Sequence, residues 1–223
     1  VQIQLHLRQF QKVAKFLSAM QKTGIFGGTF NPPHYGHLRI AEAAIAQKSL
    51  DQVFWMPTQP HYKAANILDV CHRQAMVERM IFARNSQGEA LYPKFALCPP
   101  EANQSSYAIE NLLALQDLYP DRQWYWIVGM DAFRSLPRWY RSAELVTQCG
   151  WLVAPRNGDG AEAIDPFMPQ GGAIEWELLE MPGMEISSSL IRQYCHNSRS
   201  IRHLVPAAVS AYIIKQGLYQ PDF

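Results

Sequence analysis

The stretch Thr23–Ala44, TGIFGGTFNPPHYGHLRIAEAA, decides how the rest of the chain is read. GIFGG (24–28) is a short apolar run of strand character, and LRIAEAAIAQ (38–47) sets Leu38, Ala41 and Ile45 on one helical face. Between them lie two glycines, a threonine, two prolines and the histidines His34 and His37. A turn that only packs has no use for two imidazoles three residues apart. Gly27 and Gly28 let the backbone approach a ligand with N–H groups forward and no Cβ in the way. A helix starting near Gly36 or His37 aims its positive end at the same place, so a phosphate is expected there. His34 and His37 add donors, and each can turn cationic beside a polyphosphate, because negative charge raises an imidazole's pKa. Metal ligation is the rival reading, but no Cys or acidic residue lies close in sequence to complete such a site. The turn is neither a G-x-G-x-x-G fingerprint nor a Walker loop, so hydride carriers and P-loop NTPases fit poorly.

Outward from this turn, strand-like and helix-like segments alternate. DQVFWMP (51–57) is a strand stopped by Pro57, and VCHRQAMVERMIFA (70–83) a helix. KFALCP (94–99) is a third strand. SSYAIENLLALQDLY (105–119) reads as a helix capped by Ser105 or Ser106 and ended by Pro120. WYWIVGMD (124–131) and GWLVAPR (150–156) are nearly unbroken apolar runs, as expected of strands buried on both faces. Residues 157–173 read as a Gly/Pro-rich surface loop, IEWELLEM (174–181) restores a strand, and two helices close the chain. That alternation implies an α/β fold with a parallel sheet and helices on both faces.

Composition agrees: 223 residues with 48% hydrophobic and 17% charged support a real core in one domain over 20–223. Twenty Lys and Arg against nineteen Asp and Glu leave a net charge of +1, which gives no support to a nucleic-acid surface. Cys71, Cys98, Cys149 and Cys195 are scattered without a C-x-x-C pair and read as buried thiols of a reduced cytosolic protein. No apolar run approaches the ~18 residues of a membrane span. Residues 1–19 offer one short helical face (Phe10, Val13, Phe16, Leu17) but neither the apolar run nor the cleavage site of a signal peptide. The expectation is that Met20 starts the native chain and that 1–19 is an extension; an intact mass that includes Val1 would rule this out.

A second element has the same character. EISSSLIRQ (185–193) places Ser187, Ser188 and Ser189 at a helix start, with Arg192 one turn on. Hydroxyls, helix N–H groups and a guanidinium together suit phosphate oxygens. The same letters also describe a well-capped helix with a solvated Arg; beside the first loop, the phosphate reading is preferred.

His34-Tyr35-Gly36-His37 resembles the (T/H)-x-G-H signature of the nucleotidyltransferase superfamily, and EISSSLIRQ is similar to its I-S-S-x-x-I-R element. Three further segments resemble the bacterial nicotinate-nucleotide adenylyltransferases: MPTQPHYK (56–63), SSYAIENL (105–112) and WIVGMDAFRSLPRWYRSAELV (126–146). The tail LVPAAVSAYIIKQGLY resembles the closing helix of that family. The resemblance implies a Rossmann-like, doubly wound parallel sheet and transfer of an adenylyl group from ATP to nicotinate mononucleotide, releasing pyrophosphate. It implies catalytic roles for His34, His37 and Arg192, and ATP contacts from Gly27, Gly28, Thr29, Phe30, Ser187, Ser188 and Ser189. For the mononucleotide it implies Trp139 as a stacking platform beside Tyr107 and Tyr140. Backbone N–H groups at Tyr107–Ala108 are expected on the ring carboxylate, Asp131 on ribose or amide groups, and Lys63 on the phosphate. Trp124, Trp126 and Trp151 lie inside strands and read as core. Mg²⁺ is expected on the phosphates and water rather than on protein side chains. The location expected is the cytoplasm, without nucleic acid or membrane as partner; the oligomeric state stays open, a homodimer among the options. Asn31 stands where the family commonly has Asp, Ala108 where it has Thr and Glu110 where it has Asp, and the loop ending at Lys63 is one residue shorter. The rivals are adenylyl or cytidylyl transfer to nicotinamide mononucleotide, phosphopantetheine, glycerol phosphate or flavin mononucleotide, and a non-catalytic nucleotide sensor.

Overall fold

The computed structural model describes residues 20–59, 67–156 and 174–220. Lys63, the loop over 157–173 and the extension over 1–19 fall outside the described residues. Six parallel strands form one sheet in the order β3-β2-β1-β4-β5-β6. They are β1 (Gln21–Gly28), β2 (Gln52–Pro57), β3 (Phe95–Leu97), β4 (Arg122–Gly129), β5 (Gly150–Ala154) and β6 (Trp176–Leu178). The central strand β1 pairs with β2 on one side (Ile25 opposite Phe54) and with β4 on the other (Ile25 opposite Trp126). The strand order therefore reverses beside β1, which puts the crevice for a ligand at its carboxyl end.

Both faces of the sheet are covered, which is why its strands carry few polar residues. One face is packed by α1 (Tyr35–Lys48), α2 (Val70–Ile81), α6 (Ser188–His196) and α7 (Ala207–Lys215), through Leu38, Met76, Met80, Ile191 and Ile213. The other is packed by α3 (Ala108–Leu118), α4 (Met130–Ser135) and α5 (Ser142–Gln148), through Leu112, Leu115, Phe133 and Leu145. Trp124, Trp126 and Trp151 are buried in this second layer. The doubly wound expectation holds.

Several details differ from the sequence reading. β1 begins at Gln21 rather than Gly24, because Gln21 and Lys22 find ladder partners in Arg122 and Gln123. The helices α4 and α5, joined through a 3₁₀ turn at Leu136–Arg138, went unpredicted. At six and seven residues around Pro137 they are too short to show a 3.6-residue period. The four cysteines are free, and Cys98 and Cys195 are buried; Cys71 is exposed on α2, against the expectation of buried thiols. Among the described residues no helix is long and apolar enough to cross a membrane.

Candidate active site

The loop between β1 and α1 is built from its own sequence. Phe30 takes a left-handed backbone (φ 48°), and its buried ring packs on Phe26, Trp55 and His37. A Cβ on Gly28 would lie 3.0 Å from the Phe30 ring, and one on Gly27 would lie 3.4 Å from the Trp126 indole nitrogen. The sequence reading assigned these glycines to ligand approach. The structure adds a packing reason at Gly28, where the Phe30 ring fills the space a Cβ would take; at Gly27 a Cβ would reach only ordinary contact with Trp126.

The extended His34 ends the loop as the N-cap of α1. Its ring stacks on His37 with centroids 3.7 Å apart and planes inclined 30°. That stack depends on Gly36, where a Cβ would sit 2.8 Å from His34 Nδ1. His37 Nδ1 accepts the His34 N–H at 3.2 Å, so its ring proton sits on Nε2, which remains a donor. His34 Nδ1 is buried without a hydrogen-bond partner, a cost of roughly 1–3 kcal/mol that scaffold residues rarely carry. Burial holds the His34 pKa down to about 4. Burial, and then the neighbouring His34, lower that of His37 as well. On the protein alone both rings are therefore neutral; the cationic form expected from the sequence requires the charge of a bound anion.

The second element meets this loop directly. Ser187 caps α6, its hydroxyl accepting the Leu190 N–H at 3.2 Å. Ser188 Oγ donates to the Pro32 carbonyl at 2.8 Å, and Arg192 donates to the Asn31 carbonyl at 2.9 Å. Arg192 also donates to Ser189 Oγ at 3.2 Å. The sequence reading put these donors on phosphates; in the structure Ser188 and Arg192 also tie α6 to the histidine loop. Neither α1 nor α6 carries an acidic residue in its first turn, so no carboxylate there offsets the positive helix ends.

The mononucleotide candidates gather around the other strand ends. Tyr107 and Tyr140 are exposed, and their rings lie 4.4 Å apart. Trp139 is half-buried, edge-on to Trp126 and Trp151, with its indole N–H donated to Ser135 Oγ at 2.9 Å. Trp126 thus links the two halves, since it also backs Gly27.

One expectation here needs correction, and Asp131 has a protein partner of its own. The N-cap of α3 is Tyr107, not a serine, and Ser105 Oγ accepts the Tyr107 N–H at 3.0 Å. Ala108 is the first helical residue, and Glu110 stands in the same first turn. Asp131, expected on ribose or amide groups, forms an exposed ion pair with Arg156.

Three participants lay outside the sequence reading. Arg73 is 1% exposed on α2 and donates to the Thr29 carbonyl at 2.7 Å. Its position three residues before the buried Met76 put it on the apolar stripe, a signal that was legible. Asn111 exchanges hydrogen bonds with the Ser105 backbone, and Tyr219 donates to Asn31 Oδ1 at 2.9 Å. Neither carries a sequence signal of this.

This arrangement, with a histidine pair and two helix N-termini free of acidic residues at the switch point of a doubly wound sheet, is that of a nucleotidyltransferase. Residues 25–194 match the cytidylyltransferase-like family. The chain is 43% identical to a probable nicotinate-nucleotide adenylyltransferase of Trichormus variabilis, covering 91% of this chain and 99% of that protein. It is 42% identical to the protein of the same name from Synechococcus sp. (strain JA-3-3Ab), over 89% and 95% of the two chains. The chain belongs to the cytidylyltransferase-like family and, within it, to the nicotinate-nucleotide adenylyltransferases. A solved Plasmodium falciparum nicotinic acid mononucleotide adenylyltransferase, complexed with NaAD, shares the fold at a TM-score of 0.71 and 20% identity, over 89% of this chain and 97% of that one.

Proposed function

We propose that this chain transfers the adenylyl group of ATP to nicotinate mononucleotide, giving nicotinate adenine dinucleotide and pyrophosphate in NAD biosynthesis. One observation carries the reading: the stacked His34–His37 pair and the Ser187–Arg192 element converge on a single loop at the carboxyl end of β1. The names of the relatives supply the two substrates.

The attacking group is a phosphate oxygen of the mononucleotide, already ionised at neutral pH. It forms a bond to the α-phosphorus of ATP as the bond to the bridging oxygen of pyrophosphate breaks. No proton has to be removed, so the protein's part is to position both substrates in line and to stabilise charge on the pentavalent centre. His37 donates from Nε2 to an α-phosphate oxygen, with His34 stacked against it; the gathering negative charge draws a proton onto the pair. The start of α6, with Ser188, Ser189 and Arg192, steadies the β- and γ-phosphates as pyrophosphate leaves. Gly27, Gly28, Thr29 and Phe30 bring backbone to the ATP, and Trp139, Tyr107 and Tyr140 hold the pyridine ring. The Ala108 N–H and Asp131 complete the mononucleotide side, with Lys63 on its phosphate.

Among the described residues no group of three His, Cys, Asp or Glu side chains is placed to hold a metal. The donors present are imidazoles, hydroxyls, N–H groups and a guanidinium, which suit anions rather than a hard cation. We take Mg²⁺ as a companion of the substrate, arriving on the phosphates of ATP, and the cytoplasm as the enzyme's location.

Pyrophosphate release from ATP and Mg²⁺, with nicotinate mononucleotide and nicotinamide mononucleotide offered separately, tests the assignment. Turnover with the acid well above that with the amide is expected. Equal turnover would remove the carboxylate preference, and none with either would overturn the reading.

A further inference from the structure

Arg73 is one of the largest fully buried side chains, yet no ion pair holds it among the described residues, and Asp69 acts on it only from beyond contact. Its hydrogen bonds go to two backbone carbonyls: Nη1 to Thr29 at 2.7 Å and Nε to Leu68 at 2.9 Å. Both acceptors are neutral, so desolvating the guanidinium is not repaid by an opposite charge in contact. A buried cation with no carboxylate in contact is poor fold design, and hydrophobic residues of similar volume usually serve stability as well or better. Its place in the fold therefore asks for another reason.

The reason is what the Thr29 carbonyl controls. A trans peptide is planar, with its C=O and N–H pointing in opposite directions. A guanidinium that holds the Thr29 carbonyl toward the core therefore turns the Phe30 N–H away from it. Phe30 sits at φ 48°, a conformation a non-glycine residue keeps only when its surroundings hold it there. Its N–H finds no acceptor among the described residues. The second carbonyl belongs to Leu68, whose own N–H reaches Asn31 Oδ1 at 3.4 Å, so the grip continues around the loop.

We propose that Arg73 is a positioning residue for adenylyl transfer: from inside the fold it clamps the Thr29 carbonyl so that the Phe30 N–H is presented to the transferred nucleotide's phosphates. The inference rests on the function proposed above. Its fixed positive charge also lies on the protein side of the same loop, where it favours the polyanion.

Two variants separate this role from simple packing. Arg73→Lys keeps the charge but cannot reach both carbonyls in the planar fork; Arg73→Gln removes the charge. Each is assayed for cooperative melting, for affinity toward inorganic pyrophosphate by tryptophan fluorescence, and for turnover with both substrates varied. Arg73→Lys should melt cooperatively, bind pyrophosphate about tenfold more weakly, and lose kcat by about 10- to 100-fold, the scale of a displaced catalytic contact. Its KM for the mononucleotide should stay near that of the parent, a split that a general loosening of the fold would not give. Arg73→Gln should lose more of both pyrophosphate affinity and kcat. Parent-like pyrophosphate affinity and kcat in Arg73→Lys would overturn the proposal. Loss of cooperative melting in both variants would overturn it too, because Arg73 would then hold the fold rather than the loop. A parent chain that neither binds pyrophosphate nor turns over refutes the adenylyl-transfer reading itself; an active parent with an indifferent Arg73→Lys refutes only this inference.

Discussion

Replacing Gly36 with alanine should separate activity from stability. The new methyl carbon would stand 2.8 Å from His34 Nδ1 and 2.9 Å from Cε1. That is about 0.6 Å inside ordinary contact, too much for either group to absorb without moving. The His34 ring cannot retreat toward His37, whose ring already stacks at 3.7 Å, so the pair must tilt or the first turn of α1 must shift. Losing one well-aimed donor at a charge-developing centre typically lowers kcat by about 100- to 1000-fold, and misplacement by ~1 Å costs on the order of 100-fold. A displacement of this size should thus cost Gly36→Ala about 100-fold in kcat. The same methyl is helix-favouring, with a gain of at most about 1 kcal/mol that offsets part of the clash. The melting temperature should accordingly stay within a few degrees of the parent. Pyrophosphate release and a thermal melt on one preparation give both numbers. A kcat within about threefold of the parent would refute the argument that Gly36 exists to seat His34.

The remaining expectations concern the same constellation. Burial keeps His34 neutral down to about pH 4 in the folded chain, whereas the unfolded chain protonates from about pH 6.5. The unfolded state therefore binds more protons in that window, so stability is complete above about pH 6.5 and declines as pH falls toward 4. His34→Asn should flatten the decline, and equal urea midpoint shifts between about pH 7.5 and about pH 5 in parent and variant would contradict it. Trp139→Ala should raise KM for the mononucleotide while leaving that for ATP, and should also lower the melting temperature, because the indole packs on Trp126 and Trp151. An unchanged mononucleotide KM would count against the stacking role. Asp131→Asn breaks an ion pair whose members are 63% and 68% exposed, so stability should change by less than about 1 kcal/mol. A chemical denaturation curve checks this, and any rise in KM then reports contact with substrate.

Much of this site was legible in the chain because its determinants are local. The apolar runs at 24–28 and 124–128, the Ser187 cap and the two-histidine turn each lie within a dozen residues and depend on periodicity, capping and backbone geometry. From them came the parallel α/β architecture, the position of the site at the end of β1, and the family to which the chain belongs. What stayed hidden was of another kind. That Arg192 also reaches the Asn31 carbonyl, that Ser105 takes the Tyr107 N–H, and that Phe30 fills the space beside Gly28 all turn on neighbours brought together by folding. Arg73 is the sharpest case. Its helical phase marks it as buried, but only the crossover that lays α2 against the β1–α1 loop, 44 residues away in sequence, supplies the Thr29 carbonyl. The sequence by itself determined which segments form strands and helices and which residue types stand at the turn, since those follow from interactions within a few residues. The tertiary structure alone decided the partner of each buried donor, because a buried hydrogen bond needs an acceptor at a particular point in space, and chain order does not say which segment will arrive there.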